Sequence, residues 1–197
     1  MADSPTTIPG YDYGADTLAR SPVSTDDLDL LLQTVLFADS DRDALRQAGE
    51  VLGAHADELL GVWYEFVGSH DHLVAHFSTP DGEPIADYLD RVRDRFRQWI
   101  IDTCSRPWDQ TWLDYHHEIA LRHHKTKKNV TDGVDSTPQI SMRYLAAFIV
   151  PITATVRPFL ERSGASTEAV DAMQQAWFKA VTVQATLWCQ PYAGADW

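Results

Sequence analysis

The chemistry available to this chain rests first on its histidines, of which there are eight. Two adjacent pairs, His116-His117 and His123-His124, lie seven residues apart in WLDYHHEIALRHHKTKKN. Seven residues is nearly two helical turns, so His116 and His123 share one face and His117 and His124 another. A zinc-binding helix needs histidines at i and i+4, which this pattern does not provide. His72 and His76 do have that spacing, but no glutamate sits between them in an HExxH arrangement and their segment is short. They are predicted to be surface histidines or to mark a helix end.

An inward histidine can instead act as the single axial ligand of haem. That role requires a wide apolar slot on the imidazole side and an acceptor holding the other ring N–H. Trp63, Tyr64, Val92, Phe96, Ile119, Phe148 and Ile152 offer such a lining from several segments. Each of them would serve equally well as ordinary core, and an inward histidine as a hydrogen-bonded core residue. Spacing therefore permits haem without establishing it.

The elements that would position these residues are helical throughout. Thr25, Asp26 and Asp27 open a first helix over 25–38, with Leu28, Leu31, Leu32, Val35 and Leu36 as its apolar stripe. Ala44, Leu45, Ala48, Val51 and Leu52 mark a second, and Leu59, Leu60, Trp63, Tyr64 and Val67 a third that ends near Gly68-Ser69. STPDGEP at 78–84 is a turn, and 85–104 a long amphipathic helix stepping through Ile85, Leu89, Val92, Phe96, Trp99 and Ile100. Pro107 suits the first turn of the next helix, which runs to the histidine pairs. A polar loop is expected at 125–139. A helix at 139–162 follows, kinked by Pro151, and the last runs from Ser166 to about Cys189, stopped by Pro191.

Composition narrows the class. With 197 residues, 44% hydrophobic and 23% charged, the chain is predicted to be one globular domain. Its net charge of −13 argues against nucleic acid and against anionic membrane surfaces. No apolar run of the length needed to cross a bilayer is expected, and MADSPTTIPGYDYG is not a secretion signal, which points to the cytoplasm. Cys104 and Cys189 are too few for a disulfide framework and are expected as buried free thiols.

IPGYDYG (8–14), WYEFVGSH (63–70), YLDRVRDRFRQWIIDT (88–103), WLDYHHEIALRHHKTKKNVTDGV (112–134), RYLAAFIVPITATVRPFL (143–160) and QAWFKAV (175–181) together resemble the protoglobins, single-domain members of the globin-coupled-sensor lineage. The likeness spans essentially the whole chain, and LRHHKTKKN and FIVPITAT are its most specific segments. It implies an all-α globin fold with an additional N-terminal helix and an N-terminal extension over the haem. The expected division is an extension at 1–24, a globin domain at 25–192 and a tail at 193–197.

The same resemblance implies haem b with His123 as the proximal ligand to iron and His124 pointing away from it. Tyr64 matches the distal tyrosine with Trp63 beside it, Val92 and Phe96 the apolar distal face, and Phe148 and Ile152 the pocket lining. Ile119 adjoins the ligand on the inward face, and Arg95 is expected to partner a propionate. The sequence departs from the family pattern at His116-His117, where that pattern has a glutamine and an aromatic residue. His116 is expected at the solvent edge, with contact to the proximal side as the alternative.

The function implied is reversible binding of O2, CO and NO at a pentacoordinate iron, for storage or sensing. A haem enzyme with peroxidase-like, nitrite- or NO-converting activity is the alternative, although no distal His–Arg pair is visible. Sensing would call for a separate partner chain, since no output domain follows Trp197. A homodimer through the last two long helices is expected. A cofactor-free helical interaction module is the remaining possibility.

Overall fold

The computed structural model describes residues 7–197, so the first six residues of the expected extension lie outside the described part. Among the described residues the regular structure is helical: α1 (Thr25–Thr34), α2 (Asp39–Ala54), α3 (Ala56–Gly68), α4 (Asp71–Val74), α5 (Ala86–Ser105), α6 (Gln110–His123), α7 (Met142–Ala154), α8 (Arg157–Leu160) and α9 (Thr167–Ala193). No strand occurs among them, only an isolated bridge between Ser78 and Pro84 that closes the 78–84 turn.

Local chemistry explains the helix starts. The Ser24 hydroxyl accepts the Asp27 N–H, and Asp27 takes the Ser24 N–H in return, a reciprocal cap for α1. Ser166 caps α9 through the Ala169 N–H. Helix α6 begins at Gln110 rather than in the turn of Pro107, because the Asp109 carboxylate accepts the Trp112 N–H and makes the better cap.

Three other expected boundaries move for equally physical reasons. Helix α1 stops at Thr34 because Leu36 adopts a left-handed conformation (φ 56°). That turn brings Phe37 back to stack on Trp108 with ring centroids 5.0 Å apart. The single helix expected at 139–162 starts only at Met142 and is divided at Thr155–Val156. Pro151 removes one backbone donor from its second half, and the Thr155 hydroxyl turns back onto the Pro151 carbonyl (2.7 Å). Helix α9 runs through Pro191 to Ala193, since a proline in the last turn removes only one of its hydrogen bonds.

By length and composition the stretch Met142–Ser163 reaches what a membrane crossing needs, with a mean hydropathy of 1.2, contrary to expectation. The structure breaks it into α7, α8 and a 3-10 turn and buries Leu145, Ile152, Val156, Phe159 and Leu160 in the protein. One face of the segment thus joins the core, while Met142 and Val150 remain exposed.

Helix α9 is the centre of the fold, packed by α2, α6 and α7, while α2 also crosses α5. The α2–α5 crossing is close: a Cβ on Gly49 would stand 2.5 Å from that of Cys104, so only glycine fits. Cys104 is buried there, but Cys189 is only half-buried, short of the expected burial, and both thiols are free. The main core joins Leu52, Leu59, Leu60, Trp63, Ile100 and Trp177, and a second cluster under α1 joins Leu28, Trp112, Leu113 and Val183. Between α3, α5, α6, α7 and α9 the main core opens into a cavity.

Candidate functional site

The cavity measures about 240 Å³, far above the roughly 10–15 Å³ that one water requires. Packed interiors do not leave such a space unless something fills it. All nine residues singled out from the sequence line it: Trp63 and Tyr64 from α3, Val92, Arg95 and Phe96 from α5, Ile119 and His123 from α6, and Phe148 and Ile152 from α7.

On one wall stands His123. Its Nδ1–H donates to the Ile119 carbonyl at 2.8 Å, because a carbonyl can only accept. Nε2 is therefore left as the unprotonated nitrogen, with its lone pair available to a ligand. Burial, opposed only in part by the Ile119 hydrogen bond, pushes the pKa of His123 down to about 4, so the ring is neutral at ordinary pH. Neighbouring His124 does not line the cavity; its Nδ1 meets the Thr126 hydroxyl at 2.7 Å and its ring abuts Tyr192.

Behind His123 lies a residue that sequence reasoning missed. Trp188 of α9 stacks on the His123 ring at 5.3 Å and 23°, and its indole N–H donates to His116 Nδ1 at 3.1 Å. His116 is consequently not at the solvent edge: it is 3% exposed, packed 3.9 Å from the Trp112 ring, with burial lowering its pKa to about 3. His116 does not line the cavity, and its link to His123 runs only through Trp188, which contacts both rings. The signal available in the sequence was Val181, Ala185 and Trp188 at helical spacing, which any buried helix shares.

The opposite wall is aromatic. Trp63 stacks on Phe96 at 4.9 Å, and its indole N–H donates to the Thr155 hydroxyl at 2.6 Å. The break in α7 thus has a use, since it exposes that hydroxyl to Trp63. Phe148 lies 6.0 Å from Phe66. Tyr64 carries the one polar atom that this wall leaves without an assigned partner: its hydroxyl is buried and makes no hydrogen bond. Burial raises its pKa, so it remains an O–H donor.

The rim is charged and covered by the segment 8–14. Arg95 donates to the Pro9 carbonyl (2.8 Å) and to Asp132 (2.7 Å), and Arg91 also holds Asp132 (3.0 Å). Arg122 pairs with Asp12 at 2.8 Å and Glu118 at 3.0 Å and bonds the Gly10 carbonyl. Gly10 has φ +74°, and a Cβ there would come 2.8 Å from the Arg95 guanidinium. Tyr11 reaches Asp102 at 2.6 Å and stands edge-on to Tyr115.

His76 takes the second of its two expected positions, a helix end, and is not at the surface. The 3-10 turn Ala75–Phe77 tucks it inward, 8% exposed, where its Nδ1 meets the Thr137 hydroxyl at 2.7 Å. His72, one turn earlier, stays exposed. Among the described residues no three His, Cys, Asp or Glu side chains gather into a metal-binding group. The neutral imidazole of His123 with its free Nε2, a buried phenol and apolar walls suit a flat macrocycle whose metal takes one protein ligand, while His76, also neutral, lines the cavity from the Ala75–Phe77 turn.

Comparison with protein-family models matches the family described as Protoglobin over residues 24–196. No curated protein matches the chain.

Proposed function

The chain belongs to the protoglobin family, and from that premise we propose that its cavity holds haem b, with His123 Nε2 as the only protein ligand to a pentacoordinate iron. The proposed function is reversible binding of O2, CO or NO for storage or sensing. The observation that carries it is the hydrogen bond from His123 Nδ1 to Ile119, which aims an unprotonated Nε2 into an apolar cavity. Bound haem supplies an iron with an open position for a diatomic ligand.

The protein's own residues then divide the work. Tyr64 donates its unpartnered hydroxyl to the partly negative ligand. Trp63, Phe96 and Phe148 shape the space around that hydroxyl, and Val92, Ile119 and Ile152 keep water from the ring. Residues 8–14 cover the rim and limit solvent access to the propionates, with Arg122 and Arg95 as their anchors. Arg95 meets a propionate only alongside the donors it already commits to Asp132 and Pro9.

Helix α1 is read as the element added before the usual first globin helix. The exposed Val150 and Phe178, 67% and 45% exposed on α7 and α9, support a homodimer through these helices. The free thiols of Cys104 and Cys189 support a reducing, cytoplasmic setting.

The test is an absorption spectrum of the ferric, ferrous and CO-treated protein. A Soret band that shifts on adding CO is expected. A colourless protein that takes up no added haem would leave the cofactor-free alternative.

A further inference from the structure

One end of the cavity, between the turn Ala75–Phe77, α5 and the loop after α6, holds polar groups that gas binding does not use. Lys128 lines the cavity and is 3% exposed. Its Nζ donates to the His76 carbonyl and to the Tyr88 hydroxyl, both at 2.9 Å. Both acceptors are neutral, and an ammonium carries three N–H donors, so one is unspent.

Among the described residues no carboxylate forms a salt bridge with Lys128. Asp132, the acidic group whose charge it feels, is occupied by Arg91 and Arg95. The His76 carbonyl does not depend on Lys128, since the Ser136 hydroxyl also donates to it at 2.9 Å. Besides its two hydrogen bonds the Lys128 Nζ lies 4.8 Å from the Tyr88 ring centre, which does not neutralise it, and a buried ammonium without a counter-ion is costly. Burial accordingly draws the Lys128 pKa down to about 8.

Beside it His76 presents a second unspent atom. With Nδ1 bonded to Thr137, its Nε2 is buried without a partner. Burial and the Lys128 charge keep that ring neutral, so Nε2 can carry a proton while Nδ1 accepts from the hydroxyl. Around these donors the surfaces are the rings of Phe77, Tyr88 and Tyr144. One cation plus one neutral donor fits a single negative charge spread over two oxygens, and the surroundings fit an apolar body behind it.

We propose that Lys128 and His76 form a carboxylate-binding subsite at this end of the cavity, for a ligand whose apolar body fills the remainder. The subsite rests on the haem reading only for the source of that carboxylate. A porphyrin propionate is one source, and a separate aliphatic carboxylic acid is the other.

Transfer of haem from the loaded protein to an excess of an apo-globin acceptor reads retention without any assay of gas binding. The wild type is expected to release protohaem about tenfold more slowly than its dimethyl ester, the scale of one hydrogen-bonded charge. Lys128→Met should speed protohaem release by most of that factor and leave the ester unchanged. His76→Phe, which keeps the backbone carbonyl, should reproduce a smaller part. This pattern assigns the subsite to the porphyrin.

Equal release of acid and ester, with octanoate but not 1-octanol raising the Tm of wild type and not of Lys128→Met, assigns it to a separate acid. Absence of both effects overturns the subsite, as does an acid–ester difference that neither substitution reduces. A protein that takes up no haem ends the haem reading instead, and the octanoate and 1-octanol pair then decides the subsite alone.

Discussion

The two walls of the cavity treat their polar atoms in opposite ways. On the α6–α9 wall the polar contacts form a chain: the Ile119 carbonyl accepts from His123 Nδ1, Trp188 covers the ring, and His116 Nδ1 accepts the indole N–H. On the α3–α5 wall Trp63 is anchored to Thr155, but the Tyr64 hydroxyl is buried with nothing to bond. A buried polar group without a partner costs roughly 1–3 kcal/mol. The first wall fixes the direction of His123, although the Trp112 indole N–H behind it is also buried without a partner, whereas the second presents its unsatisfied donor to the cavity, where a ligand can relieve it. Fixed geometry on one side and a reserved donor on the other is the division a binding site for small polar-ended ligands requires.

The contrast can be broken most severely at His123. His123→Ala should lose haem, or hold it with an abnormal spectrum, and external imidazole should restore part of the wild-type Soret band. A variant spectrum identical to wild type would remove His123 from the site.

The next effect is on folding. Trp188→Ala should destabilise the haem-free protein by about 3 kcal/mol, combining a cavity with an orphaned His116 Nδ1. Trp188→Phe should cost about 1 kcal/mol, since it keeps the ring contact and loses only the hydrogen bond. Denaturant unfolding distinguishes the two, and equal small losses would show that Trp188 does not support this wall.

Acid should act on the same wall. His116 and His123 have folded pKa values lowered by burial to about 3 and about 4, below the ordinary 6.5. Between those values and 6.5 the unfolded chain binds more protons than the folded one. Stability of the haem-free protein is thus full above pH 6.5 and falls as the pH drops toward 4, by at most about 1.4 kcal/mol per pH unit for each histidine. His116→Gln should flatten that slope by one histidine's share. An unchanged slope would mean that His116 titrates normally.

The smallest change is expected at Tyr64. Tyr64→Phe should raise the stability of the haem-free protein by about 1 kcal/mol, because a buried hydroxyl without a partner is removed and no hydrogen bond is lost. In the loaded protein the same change should speed O2 release about tenfold. A stability loss above 2 kcal/mol would show that the hydroxyl has a protein partner and erase the contrast between the walls.

Much of this was legible in the residues. The 3.6-residue stripes predicted the helices, Ser24 and Ser166 marked starts because their side chains act within one turn, and seven-residue spacing put His116 and His123 on one face. Boundaries set by competition were less legible. Asp109 outweighs Pro107, Leu36 turns left-handed to bring Phe37 back against Trp108, and Pro191 is tolerated because it falls in a last turn. Periodicity gathered the cavity lining but could not tell lining from core, since both are apolar and inward.

What the sequence by itself determined is the helical pattern, the inward face of α6 and, through its likeness to the protoglobins, which histidine of the adjacent pair is the candidate ligand. Tertiary structure alone decided that His116 is buried and bound to Trp188, 72 positions away, and that His76 and Lys128 meet at one end of the cavity. The physical reason is range. Periodicity and capping act over a few residues along one element, whereas the state of a buried polar atom depends on partners brought from distant elements, and its neighbours in the chain carry no trace of them.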